Sequence, residues 1–205
     1  MQVLREAGRN RPWCVLFCGV RGFPLGEHGR VGGIDRRLFA EQLHVPMMWR
    51  FPDGTGRLAR SGELASHCDV VPTIMSWVDG DDDGGADKAI SGFDGLNLIP
   101  QIARSDRLER AALVAAGSSG SLALRTSEWC LRFDPPATGD AETSTTDRGD
   151  WEADGCALYV RPDDRWEAND VAQLCPELVV ELKKRLERAA TDLRSGEICP
   201  SALRC

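Results

Sequence analysis

Apolar residues along this chain fall in short runs separated by glycine-rich and charged loops. Trp13 to Cys18 (WCVLFC) is continuously apolar and predicts a short strand of the kind buried in a parallel sheet. Val45 to Phe51 (VPMMWRF) predicts a second, with Pro46 tolerated near its start. Between them, Arg36 to Leu43 (RRLFAEQL) reads as a short helical piece. Asp69 to Asp79 (DVVPTIMSWVD) predicts a helix in which Asp69 caps the first amides, Pro72 sits in the first turn and Gly80 is the stop. Met1 to Gly8 (MQVLREAG) reads as the last two turns of a helix, so the chain is expected to have lost its beginning. Gly92 to Ile102 is a turn leading into a short apolar segment.

The pattern changes after about Ala115. Ser121 to Arg125 and Glu128 to Phe133 alternate around Thr126 and Ser127, a hairpin signal. Asp134 to Gly155 is polar and rich in Pro, Thr, Asp and Gly, the composition of a long loop. Cys156 to Val160 (CALYV) predicts a third strand. Pro176 to Leu193 is the clearest helix: Pro176 suits its first position, Leu178, Leu182, Leu186, Ala189 and Leu193 form one stripe, and Gly196 stops it. The expected organisation is an incomplete α/β portion over 1–115, a small antiparallel-sheet subdomain over 116–195 with its helix at 176–193, and a tail over 196–205.

With 205 residues, 42% hydrophobic and 28% charged, the chain has the balance of a soluble globular protein. A net charge of -7 argues against a general affinity for nucleic acid. No apolar stretch approaches the ~20 residues that span a bilayer, so no membrane partner is expected. MQVLREAGRNRPW lacks the apolar centre of a secretory signal, which makes the cytoplasm the default compartment. The eight cysteines are irregularly spaced, and reduced thiols are expected. On one strand Cys14 and Cys18 would lie roughly 13 Å apart, beyond the ~7 Å reach of a disulfide. No CxxC pair suggests structural zinc.

Four segments, in order, carry a resemblance. The first is VLFCGVRGFPLGEHG with LFAEQLHVPMMWRFPDG, similar to a strand, a Ser-Asp-His-Gly turn, a Leu-Gly-Glu-His-Gly loop and a Tyr-Glu-Glu…Val-Pro strand. The second is Ser66 to Gly80, similar to an Asp-x-x-Pro-Thr helix. The third is Asp94 to Ile102, similar to Asp-Gly-x-Ser-Leu-x-Pro. The fourth is Leu158 to Glu187, similar to Leu-Tyr-Asp-Leu…Asp-Pro-x-Glu-x-x-Asn-Leu and a closing helix. Together, over about residues 2 to 190, they resemble the C-terminal half of the type I, formylglycine-dependent sulfatases of the alkaline-phosphatase-like superfamily. The resemblance implies a large mixed sheet between helices, then a small antiparallel sheet packed by a C-terminal helix. It also implies sulfate-ester hydrolysis with calcium and a formylglycine made within Cys/Ser-x-Pro-x-Arg.

The chemistry-bearing positions of that family are altered. Neither form of the nucleophile motif occurs in these residues. The turn's metal-binding positions fall on Val20, which has no ligand atom, and Arg21, a cation that would repel calcium. The Lys after the Gly-Glu-His-Gly loop has no clear counterpart among Gly33 to Asp35, and the family's N-terminal metal carboxylates would lie upstream of Met1. No metal site and no cofactor are therefore expected for this chain.

Candidate residues remain. His28 is a candidate contact or proton donor, weighed against a loop histidine bonded to backbone. Arg21 is a weak candidate for holding an anion directly, weighed against a solvated arginine. His67, beside Asp69, is expected to belong to the helix start. Asp79, Asp81, Asp83 and Gly84 match the opening of a calcium loop, but position twelve is Ile90, so a solvated acidic loop is expected. Trp49, Trp77, Trp129, Trp151 and Trp166 are scattered; those on strands and helices are expected in the core.

Three functions compete: a truncated or catalytically inactive sulfatase-like protein, a non-catalytic pseudoenzyme binding sulfated glycan or another anion, and a remnant without function. The two short strands of an incomplete sheet also predict exposed apolar surface. That surface would meet either a missing N-terminal half or a second copy.

Overall fold

The computed structural model describes residues 12–32, 37–79, 93–103, 110–117, 120–134 and 155–195, with side chains to residue 192. The predicted Met1–Gly8 helix, Gly33 to Asp35, the acidic loop after Asp79, Trp151, most of the 134–155 loop and the tail lie outside them. The chain divides into two compact units: 1–21 with 45–109, and 22–44 with 110–205. This division differs from the one expected at 115, because residues 22–44 group with the C-terminal part.

In the first unit, β1 (Val15–Cys18) and β2 (Met47–Arg50) form a two-stranded sheet. Both were expected in a buried parallel sheet; they pair antiparallel instead, Val15 opposite Arg50 and Cys18 opposite Met47. Neither is fully buried, and the facing residues Phe17 and Met48 are 58% and 56% exposed. An apolar run fixes a strand but not the direction of its neighbour. Beyond β1, the Gly19 amide donates to the Pro46 carbonyl at 2.9 Å.

The helix expected over Asp69 to Asp79 begins earlier and differently. Asp69 was expected to be its cap; Ser66 is. A 3-10 turn over His67–Asp69 leads into a helix over Val70–Asp79. Ser66 Oγ accepts from the Cys68 amide, and Asp69 Oδ2 accepts from the Ser66 amide at 2.7 Å. This reciprocal pairing satisfies amides that have no partner inside the helix. Asp69 Oδ1 also accepts from Leu96 N at 2.8 Å, and Thr73 Oγ1 accepts from Leu98 N at 3.0 Å. Asn97 Nδ2 donates to Ser76 Oγ at 2.9 Å. The Asp-Gly-Leu-Asn loop is thereby fastened along the helix. A Cβ on Gly95 would sit 1.9 Å from the Cys68 carbonyl oxygen, so only glycine permits this approach. The apolar segment that follows forms a single helical turn over Ile99–Ile102.

The second unit contains a short helix α1 (Ala40–Leu43), shorter than the helical piece expected from Arg36. Its main body is a four-stranded antiparallel sheet in the order β3 (Leu113–Ala116), β4 (Leu122–Arg125), β5 (Trp129–Phe133), β6 (Cys156–Val160). The β4–β5 hairpin stands where the alternation placed it, and β6 where the CALYV run did. β3 was not foreseen, because Leu-Val-Ala-Ala shows no alternation. The long helix, α4 here, spans Pro176–Ser195; the single-turn helix at Ile99–Ile102 is α3 and that at Val70–Asp79 is α2.

Strand alternation gives this sheet two different faces. Leu124, Leu131 and Leu158 lie side by side on one and pack against Leu182 and Leu186 of α4. Arg125, Cys130 and Tyr159 share the next row on the other face, followed by Ala123, Arg132 and Ala157. Phe39 covers that second face with Cys130, Ala157 and Tyr159. The edge at β6 is closed by the 170–172 segment: Leu158 N donates to Asp170 Oδ1, and Val171 N donates to the Leu158 carbonyl. That pairing blunts an otherwise free strand edge. The described cysteines, Cys14, Cys18, Cys68, Cys130, Cys156 and Cys175, are free thiols.

Candidate functional site

Val20 and Arg21 belong to the first unit, where Val20 is 90% exposed and Arg21 half-buried. His67 belongs to the same unit: its Nε2 lies 2.7 Å from the Gly19 carbonyl oxygen. It therefore donates a hydrogen bond to backbone and fastens the start of the helix to the end of β1. Of the calcium-like loop only Asp79 is described.

His28 lies in the second unit, in a 3-10 turn over Glu27–Gly29, with φ 50°. Gly26 and Gly29, at φ 135° and 68°, bend the loop tightly on either side. Glu27 turns back on its own loop and accepts from the Leu25 amide; backbone hydrogen bonds, from its own amide first and then from Leu25, hold its carboxyl below the usual range. His28 points inward. Its Nδ1 is 3.0 Å from Glu41 Oε1, and its Nε2 is 3.1 Å from the Glu167 carbonyl oxygen. Its ring stacks on Phe39 at 3.6 Å and 14°.

The centre of this cluster is Glu167, which the sequence reading placed in a motif but gave no role. Its backbone has φ 53° and its side chain is fully buried. Oε1 accepts from Arg125 Nη2 at 2.8 Å, and Oε2 accepts from the Ala40 amide at the start of α1 at 2.9 Å. A buried carboxylate with both oxygens engaged avoids the cost of an unpaired charge. Arg132, also buried, lies 3.7 Å from the centre of the Phe39 ring and donates twice to Asp134 Oδ2, at 3.0 and 2.9 Å. Burial pushes the Tyr159 hydroxyl up to about 12 and the Cys130 thiol up to about 11, the latter aided by the Glu167 charge. Neither is a nucleophile or a proton carrier near neutral pH.

His28, Phe39, Glu41, Arg125 and Glu167 thus form one interlocked group, and Arg132 adjoins it through Phe39. Spacing could not have found it, since its members are drawn from four distant segments. Among the described residues no set of His, Cys, Asp and Glu side chains is arranged to hold a metal. Trp49, Trp77 and Trp129, expected in the core, are only half-buried, and Trp13 and Trp166 are 46% and 59% exposed.

Residues 1–80 match the family model described as Sulfatase. No curated protein matches the sequence. Among solved structures, the Bacteroides fragilis protein yidJ, described as a sulfatase, aligns with 100% of this chain and 40% of its own at a TM-score of 0.64 and 16% identity. BT4656, solved with its substrate D-glucosamine-2-N,6-O-disulfate, aligns with 95% of this chain and 37% of its own at 0.62 and 18%. A sulfatase from a glycosaminoglycan-metabolising locus of Bacteroides thetaiotaomicron aligns with 74% of this chain and 30% of its own at 0.53 and 21%. The chain therefore spans well under half the length of these sulfatases. Residues 1–80 are thus similar to the Sulfatase family model, and the fold of the chain, an α/β arrangement ending in a small antiparallel sheet packed by a helix, is like that of these solved structures.

Proposed function

We propose that this chain is the C-terminal portion of a sulfatase fold and does not itself hydrolyse sulfate esters. The observation that carries this reading is the use made of the Gly-Glu-His-Gly loop. His28, the imidazole of the loop, has both ring nitrogens taken by Glu41 and the Glu167 carbonyl. A general acid needs a ring nitrogen within reach of the reacting oxygen. Calcium does not fit the turn before it: Val20 offers no donor, and the Arg21 guanidinium is a cation where an oxygen ligand is needed. No step through calcium is derived for these residues.

The test is turnover of an aryl sulfate by the purified chain with calcium present. No hydrolysis above the buffer rate is expected. Turnover that Arg21→Ala or His28→Ala alters would overturn the reading. His28→Ala is instead expected to lower the melting temperature, as loss of a structural contact does.

A further inference from the structure

The first unit contains a strand with one edge unused. The Gly19 amide donates to the Pro46 carbonyl, which continues the β1–β2 register by one residue. Hydrogen-bonded positions alternate along an antiparallel strand. Val15, Phe17 and Gly19 therefore turn their backbone groups toward β2, whereas Cys14, Leu16 and Cys18 turn theirs away from it. Among the described residues no backbone hydrogen bond reaches Cys14, Leu16 or Cys18 from that outer side.

Folded proteins blunt such an edge with charge, proline, a bulge or a covering segment. In the second unit the 170–172 segment does this for β6. β1 has none of these protections among the described residues. No charged residue lies between Pro12 and Val20, and no proline interrupts residues 13–19. The pairing with β2 runs from Val15 to Cys18 without a bulge. Trp13 and Phe17 are 46% and 58% exposed. An uncharged strand offers nothing to a charged partner. Its open amides and carbonyls fit another uncharged strand, and one is present in every copy of this chain.

We propose that β1 pairs antiparallel with β1 of a second copy, Leu16 opposite Leu16, joining two two-stranded sheets into one in the order β2-β1-β1-β2. A two-fold axis makes such a contact closed and self-complementary. The register follows from the alternation. With Leu16 on the axis, Cys14 meets Cys18 of the second copy and Cys18 meets its Cys14, so all three outward-facing residues find outward-facing partners. A shift of two residues leaves one of them opposite Pro12, which has no N–H, or opposite Val20, beyond the end of β1. On the exposed face the same register sets Phe17 against the half-buried Val15 of the second copy, a favourable aromatic–β-branched pair. It also gives the cysteine spacing a consequence. Within one strand Cys14 and Cys18 are too far apart to bridge, at roughly 13 Å. Opposite each other across a hydrogen-bonded pair, Cα atoms are about 5.5 Å apart, a separation a disulfide spans. The contact uses none of Val20, Arg21 or His28, so it stands or falls apart from the absence of hydrolysis.

The experiment is sedimentation velocity of the 205-residue chain with its thiols reduced, over a range of concentrations. An edge this short buries little surface, so a concentration-dependent monomer–dimer equilibrium is expected. Phe17→Lys, at an exposed position, places a charge on the edge and should raise the dissociation constant about tenfold or more. Leu174→Lys, the same kind of change at an exposed residue of the second unit, should leave it unchanged. Brief diamide oxidation is the second measurement and does not depend on how the lysine variant folds. Each diamide takes the two thiol hydrogens of one Cys14–Cys18 pair and leaves one S–S bond between the copies. The tryptic peptide that holds both cysteines should be recovered joined to a second copy of itself, and Cys14→Ser or Cys18→Ser alone should abolish that link. A chain that stays monomeric, a dimer unchanged by Phe17→Lys, or oxidised chains joined only through other cysteines overturns the proposal. A link through this peptide that survives either serine variant overturns the Leu16-centred register.

Discussion

Arg125 and Glu167, 42 residues apart in sequence, meet at 2.8 Å with the Glu167 side chain removed from solvent. The same carboxylate takes the Ala40 amide, and the same residue's carbonyl lies against His28. Glu167→Ala would leave a largely buried guanidinium and a helix-start amide without partners. Breaking a buried pair from one side costs about 3–5 kcal/mol. Thermal unfolding should show a large loss of stability; a variant melting with the wild type would mean the cluster contributes nothing.

Much of the second unit could be read from sequence because its signals are local. Alternation placed β4 and β5, the apolar run CALYV placed β6, and the leucine stripe placed α4. The Asp-x-x-Pro-Thr and Asp-Gly motifs were also visible, but their purpose was not. Asp69 and Thr73 prove to be acceptors for Leu96 and Leu98, and a hydrogen bond across more than twenty residues leaves no mark in a window of ten. The antiparallel pairing of β1 with β2 was missed for the same reason, since a short apolar run is compatible with either direction. His28 was weighed as a possible proton donor because Gly-Glu-His-Gly is intact. Its two partners come from Glu41 and from residue 167, so only the fold could reveal that the ring is occupied.

Thiol reactivity should divide along burial. Cys130 is 1% exposed and its thiol is pushed up to about 11, chiefly by burial; Cys156 is also buried, while Cys68 is exposed. The thiolate is the reactive form. Brief iodoacetamide treatment of the native chain, followed by peptide mass mapping, should label Cys68 and spare Cys130 and Cys156 until denaturant is added. Native labelling of Cys130 at the rate of Cys68 would contradict the packing described.

His44 should make the folded state sensitive to acid. Its pKa is lowered in the folded chain, by burial and then by Arg125, Arg161 and Arg165. The unfolded chain takes up a proton near the ordinary value of about 6.5, where the folded chain still does not. The stability this group contributes is therefore present above that pH and is lost as pH falls below it. The His44 side chain is exposed, so solvent screening keeps the effect small. Melting curves taken between about pH 7 and pH 5 should fall less steeply for His44→Gln than for the wild type. Parallel curves would show that His44 titrates alike in both states.

The α2 helix is amphipathic in the reverse of the usual sense. Val71, Ile74, Met75 and Val78, spaced i, i+3, i+4 and i+7, are 46%, 38%, 41% and 65% exposed, while Pro72, Thr73 and Ser76 on the other side are buried. Surface helices normally turn such a stripe inward, and burying one of these side chains fully is worth about 1.5–3 kcal/mol. The solved sulfatases carry more than twice as much chain as aligns here. In the isolated chain the available partner for the stripe is a second copy. Sedimentation velocity should therefore show concentration-dependent association, reduced in Ile74→Glu/Val78→Glu because two charges would then have to be desolvated at the contact. A wild-type chain that stays monomeric at every concentration would mean that solvent alone is sufficient for this face.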